Sequence, residues 1–246
     1  MLARRGFSQV NSIIVPVYGD HSCPDVSKMC EEFSKQSFEV IFVSGCESPE
    51  IQRTVESFEY QYLLLEGEQS RGVRMHYGFL ASTGEVVLFH HPRSVIEPAG
   101  LEYYSNMSRD QGWGGFTHKF DTDHPFLRWT SWYSNYIRAA RSILYLDHGI
   151  FASRKLLELV GGVPRLEIFE DTCLSINLRK HKNSTLLPYN SMTSAVRFMK
   201  NGFVKQSIIN QFMKFGFYFR IPKAILNKRY EKNIALNSDY DEEGVK

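Results

Sequence analysis

Glu170 and Asp171 stand side by side, at the start of a run from 170 to 180 that reads as a helix. Neighbours at a helix start leave on different faces, so one carboxylate can enter a cleft and serve as a general base. The pair has a plainer use as well, because acidic side chains favour a helix N-terminus. A second group is His90, His91, Pro92, Arg93 and Ser94. Successive strand residues point to opposite faces, so His90 and His91 are a poor pair for holding one metal ion. A guanidinium such as Arg93 repels cations and matches phosphate geometry. His148 follows Asp147, and a lone histidine is more often structural than catalytic. Trp113 heads a Trp-Gly-Gly-Phe run that reads either as a core strand or as a ligand wall. Trp129, Trp132, Tyr133 and Tyr136 follow helical spacing, which predicts packing rather than a ligand platform.

These residues need elements to position them. The first half alternates apolar strands (12–17, 38–43, 62–65, 86–90) with helices (24–36, 49–58, 70–82). Continuous apolar strands joined by helices predict a parallel sheet covered on both faces. Ligands of such sheets sit at the carboxyl ends of the strands, which directs attention to turns 18–20, 44–47, 66–71 and 91–94. The second half is less regular. It predicts a strand at 113–118, a long aromatic helix at 125–144, a strand at 148–152, helices at 154–160 and 170–180, a strand at 184–189, and helix from Asn201.

The chain has 246 residues, 43% apolar and 23% charged, which excludes a mainly disordered protein. At roughly 150 residues per domain this is one large domain, or one with an extension. Net charge is only +2, but residues 196–232 hold nine Lys or Arg against Glu231 alone. No DNA- or RNA-reading motif accompanies that charge, so nucleic acid is not an expected partner. The four cysteines form no C-x-x-C pair and fit a reducing compartment. The charged start, Met1 to Arg5, is not followed by a convincing signal peptide, and no stretch is long enough to span a bilayer. A cytoplasmic protein is expected. There is no G-x-G-x-x-G after the first strand, no P-loop and no G-x-S-x-G, which argues against dinucleotide oxidoreductases and α/β-hydrolases.

Eight segments in order carry a resemblance: 12–18, 39–45, 70–78, 82–91, 147–151, 160–164, 169–171 and 193–197. Together they resemble the family 2 glycosyltransferases of the GT-A fold, closest to a small cytoplasmic bacterial-type subgroup. The resemblance covers roughly Ser12 to Arg220. It implies an α/β fold of GT-A type: a mostly parallel central sheet flanked by helices, with a helical C-terminal extension. Residues 1–200 would be the transferase domain, and 201–246 a basic, aromatic extension with an acidic tail.

The resemblance further implies a nucleotide-diphospho-sugar donor and inverting transfer to a hydroxyl. It places Asp171 as the base, with Glu170 beside it. Donor contacts would come from Pro16, Val17, Tyr18, Ser44, Gly45, Arg71, His91, Arg93, Asp147 and Arg197, and acceptor contacts from Trp113 and His148. Two positions depart from the family pattern. Arg93 falls where the family has the Asp of its divalent-metal motif, which disfavours Mg²⁺ or Mn²⁺ and suggests that arginines replace the metal's charge. Ser44 replaces an Asp that bonds the nucleotide base. Both losses also suit an alternative, a non-catalytic GT-A protein that binds a nucleotide, glycan or protein. The basic C-terminal region reads as a packed helix with a solvated basic face, or as a membrane-surface helix serving a lipid-linked acceptor at the inner face of the membrane. Phe215-Gly216-Phe217 and Pro222 interrupt a long amphipathic face and favour packing.

Overall fold

The computed structural model describes residues 10–67, 70–219 and 221. The expected acidic tail, the charged N-terminus, and Arg220, Pro222 and the later basic residues lie outside them.

Strands β1 (Asn11–Val17), β2 (Phe38–Ser44), β3 (Gln61–Leu64) and β4 (Val86–Phe89) form a parallel group in the order β3-β2-β1-β4. All seven residues of β1 are buried. Its alternating side chains feed two cores, with Ile13, Val15 and Val17 on one face and Ile14 on the other. Burial on both faces is why the strand reads as a continuous apolar run. Helices α1 (Val26–Ser34), α2 (Pro49–Ser57) and α3 (Arg71–Ala81) cover the faces. Gly78 lets α3 lie close against the sheet, because a β-carbon there would stand 2.5 Å from Ile14 Cγ2.

The sheet continues through β7 (Ile150–Ser153), β6 (Trp113–Phe120), β8 (Thr185–Thr193) and β5 (Ser94–Ile96), making eight strands among the described residues. β4 pairs with β7, and β7 with β6, antiparallel; β6 and β8 run parallel, and β8 pairs antiparallel with β5. Strand β5 and helix α4 (Pro98–Ser105) occupy a stretch in which the sequence predicted no element.

The long aromatic helix is three pieces. Helix α5 (Pro125–Trp132) passes into a π-helical turn (Tyr133–Arg138) and a 3-10 turn (Ala139–Arg141), closed by Ser142 at φ +52°. Three of the four aromatics expected to pack, Trp129, Trp132 and Tyr136, are exposed instead. Trp129 is 54% exposed and Trp132 48%, and each lies beside a tyrosine one turn on, Tyr133 and Tyr136. Helical spacing alone does not say which stripe faces inward. Helices α6 (Arg154–Leu159) and α7 (Glu170–Leu178) precede β8.

The C-terminal helix is also divided. Gly202, at φ +79°, separates α8 (Val196–Asn201) from α9 (Phe203–Tyr218). Met213 and Ile209 of α9 pack against Ile168 and Phe169, while Phe203 joins Phe126, Leu127 and Phe198. The opposite face carries Val204, Ile208, Phe212, Phe215 and Phe219, all exposed. Beside the exposed Lys205, this face thus carries an apolar stripe. No helix among the described residues is long and apolar enough to cross a membrane.

Candidate active site

Beyond the end of β4 the chain turns through His90 to Arg93. His90 is buried edge-on against Phe33 on one side of the sheet, with ring centroids 5.3 Å apart. His91 lies on the wall of a cavity of about 270 Å³ on the other side. The two rings thus part, as strand alternation requires. His91 Nδ1 accepts from the Arg93 amide at 3.1 Å, which leaves Nε2 as the protonated nitrogen, 4.0 Å from Asp147 Oδ1. Burial lowers the His91 pKa to about 4; Asp147 opposes this, and Arg71, Arg197 and Arg93 add to it. Burial alone would raise the Asp147 carboxyl, but His91, His118, Arg71 and His148 outweigh it and hold the group below its ordinary value.

Asp147 belongs to a 3-10 turn (Leu146–His148) that ends in Gly149 at φ +60°. Ser191 of β8 donates to its carbonyl at 2.7 Å, tying the turn to the sheet. His148 has no exposed surface. Its Nδ1 accepts from the Tyr145 amide and its Nε2 stands 3.3 Å from Ser134 Oγ, while burial lowers its pKa to about 3. It is a neutral, bonded residue on the cavity wall.

The carboxylate pair sits at the start of α7. Phe169, which precedes it, holds φ +63°, a left-handed conformation that costs a non-glycine residue on the order of 1 kcal/mol or more. Contact with Phe217 of α9, centroids 4.8 Å apart, helps hold it there. This twist parts the two carboxylates. Glu170 turns inward and is fully buried, bonded to Arg71 Nε through Oε1. Burial pushes its carboxyl up to about 7, against the pull of Arg71. Asp171 turns to the cavity wall. Its Oδ2 accepts from the Leu146 amide at 3.1 Å, and its Oδ1 accepts from the Thr172 amide at 2.6 Å and hydroxyl at 3.3 Å. Both oxygens are thus held in place by donors of the protein itself.

Arg71 opens α3, whose N-cap Ser70 accepts from the Val73 amide at 3.3 Å. Gly72 lets this helix end meet the 164–166 loop, since a β-carbon would stand 2.5 Å from the Pro164 carbonyl oxygen. Arg93 reaches across to the His21 carbonyl, Nη2 donating at 2.8 Å. Together with Arg197 these side chains line the same cavity as Asp171.

Of the residues the sequence proposed, the cavity thus brings together Arg71, His91, Arg93, Asp147, His148, Asp171 and Arg197. Glu170 lies behind its wall. Pro16, Val17, Tyr18, Ser44, Gly45 and Trp113 are not among its lining residues. Val17 and Tyr18 connect to α3 instead: Arg74 donates to the Val17 carbonyl and lies 5.4 Å from the Tyr18 ring centroid. Ser44 is fully buried, its hydroxyl 2.6 Å from the Cys46 carbonyl and 3.1 Å from Ser48 Oγ, so it closes its own turn. Trp113 lies within the core, its indole donating to the Lys182 carbonyl.

The cavity also has walls that the sequence did not suggest. Tyr133, Ser134 and Arg138 come from the π-helical turn, and Gln206, Asn210, Met213 and Lys214 from α9. A signal was present: 206, 210 and 214 form a polar i, i+4, i+8 stripe on a helix that is mostly apolar.

The residues at the end of β4 do not fit a divalent cation. The place where the resemblance puts a metal-binding Asp holds Arg93, and no group of three His, Cys, Asp or Glu among the described residues could hold an ion.

No protein-family model and no curated protein matches the sequence. Solved structures do match the fold. S. aureus TarS 1-349 in complex with UDP-GlcNAc aligns over 75% of this chain at 18% identity, with a TM-score of 0.59. The glucosyl-3-phosphoglycerate synthase of Mycobacterium tuberculosis, in complex with Mn²⁺, UDP and glucosyl-3-phosphoglycerate, aligns over 77% of each chain at 10% identity and TM-score 0.55. The Pyrobaculum calidifontis mannosyltransferase with GDP-Man and Mn²⁺ aligns over 78% of this chain and 58% of its own, at 14% identity and TM-score 0.51. The fold is GT-A. This chain spans about 60% of the TarS 1-349 structure. Within the GT-A frame, the cavity at the end of β4 lies where open α/β sheets bind ligands, outside the carboxyl ends of the strands.

Proposed function

We propose that this protein is an inverting glycosyltransferase of the family 2 type, moving a sugar from a nucleotide-diphosphate donor to a hydroxyl acceptor. The observation that carries the reading is Asp171 on the wall of a cavity that also holds Arg71, Arg93 and Arg197. In a single displacement the acceptor oxygen attacks the anomeric carbon while Asp171 takes the hydroxyl proton. The bond from that carbon to the diphosphate oxygen breaks, and its electron pair leaves with the nucleoside diphosphate. Fixed cations favour this step most where the leaving charge develops. Arg71, Arg93 and Arg197 supply that charge, and transfer proceeds without a divalent metal. Asp147 and His148, on the 3-10 turn, line the same cavity and would flank the reacting groups.

The exposed stripe of α9 adds a location. Residues 196–219 contain four Lys or Arg and no acidic residue. Exposed Trp129 and Trp132 lie on α5, whose Phe126 packs against Phe203 at the start of α9. Apolar stripe, tryptophans and basic charge together suit an anionic bilayer, with the protein docked at the inner face of the membrane near a lipid-linked acceptor.

The reading is tested by assaying hydrolysis and transfer from UDP- and GDP-sugars, with and without Mg²⁺, Mn²⁺ or chelator, in wild type and Asp171→Asn. Turnover that survives chelator and vanishes in the variant supports it. Equal turnover in both proteins overturns Asp171 as base. Nucleotide binding without any turnover favours a non-catalytic GT-A protein.

A further inference from the structure

The cations of the cavity fall into two groups. Arg71, Arg93 and Arg197 all act on His91, at the end of β4. Arg138 and Lys214 act on one another, and Arg138 also on His148. The second group comes from elements outside the parallel sheet: Arg138 ends the π-helical turn, and Lys214 lies on the polar stripe of α9. π-helical turns recur at functional sites because the extra residue re-aims a side chain.

We propose that Arg138 and Lys214 bind a phosphate group carried by the acceptor, so that the hydroxyl next to it meets Asp171. The proposal rests on the transferase reading. Neither cation has an acidic partner within ion-pair distance among the described residues. Arg138 Nε is buried and makes no hydrogen bond there. The guanidinium lies 4.4 Å from the centroid of the Tyr145 ring, which fixes its plane. Two cations facing one cavity repel each other, and burial together with Arg138 lowers the Lys214 pKa to about 8. An anion between them would relieve both costs. Gln206 and Asn210 extend the same wall with amides held in line, Gln206 Nε2 donating to Asn210 Oδ1 at 2.8 Å.

The link to the chemistry is short. The Asp171 oxygen that accepts from the Leu146 amide lies 3.9 Å from Arg71 Nη2. Leu146 directly follows Tyr145, on which Arg138 rests. One carboxylate oxygen is thus close to Arg71 directly and connected to Arg138 through Leu146 and Tyr145. Single transfer needs this arrangement, with an acceptor hydroxyl held between base and donor.

The experiment titrates methyl phosphate, with acetate in parallel, into protein saturated with UDP or GDP, by calorimetry. Wild type should bind methyl phosphate more tightly than acetate. Arg138→Met and Lys214→Met should each weaken it about tenfold, as loss of one charge-assisted bond does. Arg138→Lys should recover part of the loss, and nucleotide affinity should stay within about twofold throughout. Binding unchanged in both Met variants, displacement of methyl phosphate by the nucleotide, or acetate bound as tightly, overturns the assignment. If neither nucleotide binds, the donor reading fails by itself, and the same titration on free protein still decides whether Arg138 and Lys214 hold phosphate.

Discussion

Arg71 donates through Nε to Oε1 of Glu170, a carboxylate with no surface of its own. The other end of the same guanidinium reaches toward Asp171, Nη2 standing 3.9 Å from Oδ2. Arg71 thus anchors the buried member of the acidic pair and orients the one that faces the cavity.

Arg71→Met should destabilise the fold by about 3 kcal/mol, the low end of the range for a broken buried pair because Arg71 is itself partly exposed. Urea denaturation measures this. The double variant Arg71→Met, Glu170→Gln should regain most of the loss, since no uncompensated buried carboxylate remains. A double variant as unstable as the single one would show that the loss does not come from leaving Glu170 unpaired.

Asp171→Asn should lower kcat by about 10²- to 10⁴-fold, the range of general base catalysis, and leave nucleoside diphosphate affinity within about threefold. Steady-state kinetics and calorimetry read the two effects separately. A matching fall in affinity would make Asp171 a donor-binding group instead.

Arg93→Met should weaken nucleoside diphosphate binding by at least tenfold, because a charge-assisted bond to phosphate contributes about 1.5–3 kcal/mol. Added Mn²⁺ should not restore it. Restoration by Mn²⁺ would mean that the residues around Arg93 can hold a cation after all.

Much of this was legible in the strands. β1, β2 and β4 are buried on both faces, so their apolar runs announced the sheet and directed attention to the turns at its carboxyl end, of which 91–94 lines the cavity and 18–20 and 44–47 do not. His91, Arg93 and Asp171, proposed from the resemblance, do line one cavity. Ser44 and Trp113 were harder, since sequence order does not show whether a polar group bonds its own turn or whether an aromatic faces core or cleft. The α9 wall was hidden by composition: the apolar residues of the helix outnumber the polar stripe that faces the cavity, and a single chain segment shows no partner. The break at Gly202 and the π-helical turn depend on backbone geometry that no residue type dictates here.

Buried His90 and His148, with the partly buried His91, set an acid limit. Their folded pKa values lie below that of the unfolded chain, so the folded state is favoured above about pH 6.5 and loses that advantage as pH falls through the folded values, about 3 to 4. Each adds a slope approaching about 1.4 kcal/mol per pH unit. Glu170 works the other way: its folded pKa is raised to about 7, so its contribution is full below the unfolded value, 4.5, and is lost as pH rises to 7. Three groups outweigh one, so denaturation midpoints should fall from pH 6.5 to 5. Glu170→Gln should make that fall steeper, and an unchanged slope would refute the Glu170 assignment.

An exposed stripe on α9 predicts sedimentation with vesicles containing phosphatidylserine and little with neutral ones. Ile208→Glu with Phe212→Glu should abolish it without lowering the melting temperature, since both side chains are largely exposed, 64% and 55%. Concentration-dependent dimerisation of the wild type, lost in this variant, would assign the stripe to a second copy instead.

Residue 72 has room for a hydrogen atom and nothing larger. Even alanine there would wedge the first turn of its helix away from the facing carbonyls and swing the neighbouring guanidinium with it. The reach of Arg71, and through it the aim of the proposed base, is therefore set by the smallest side chain available, at a position that touches no substrate.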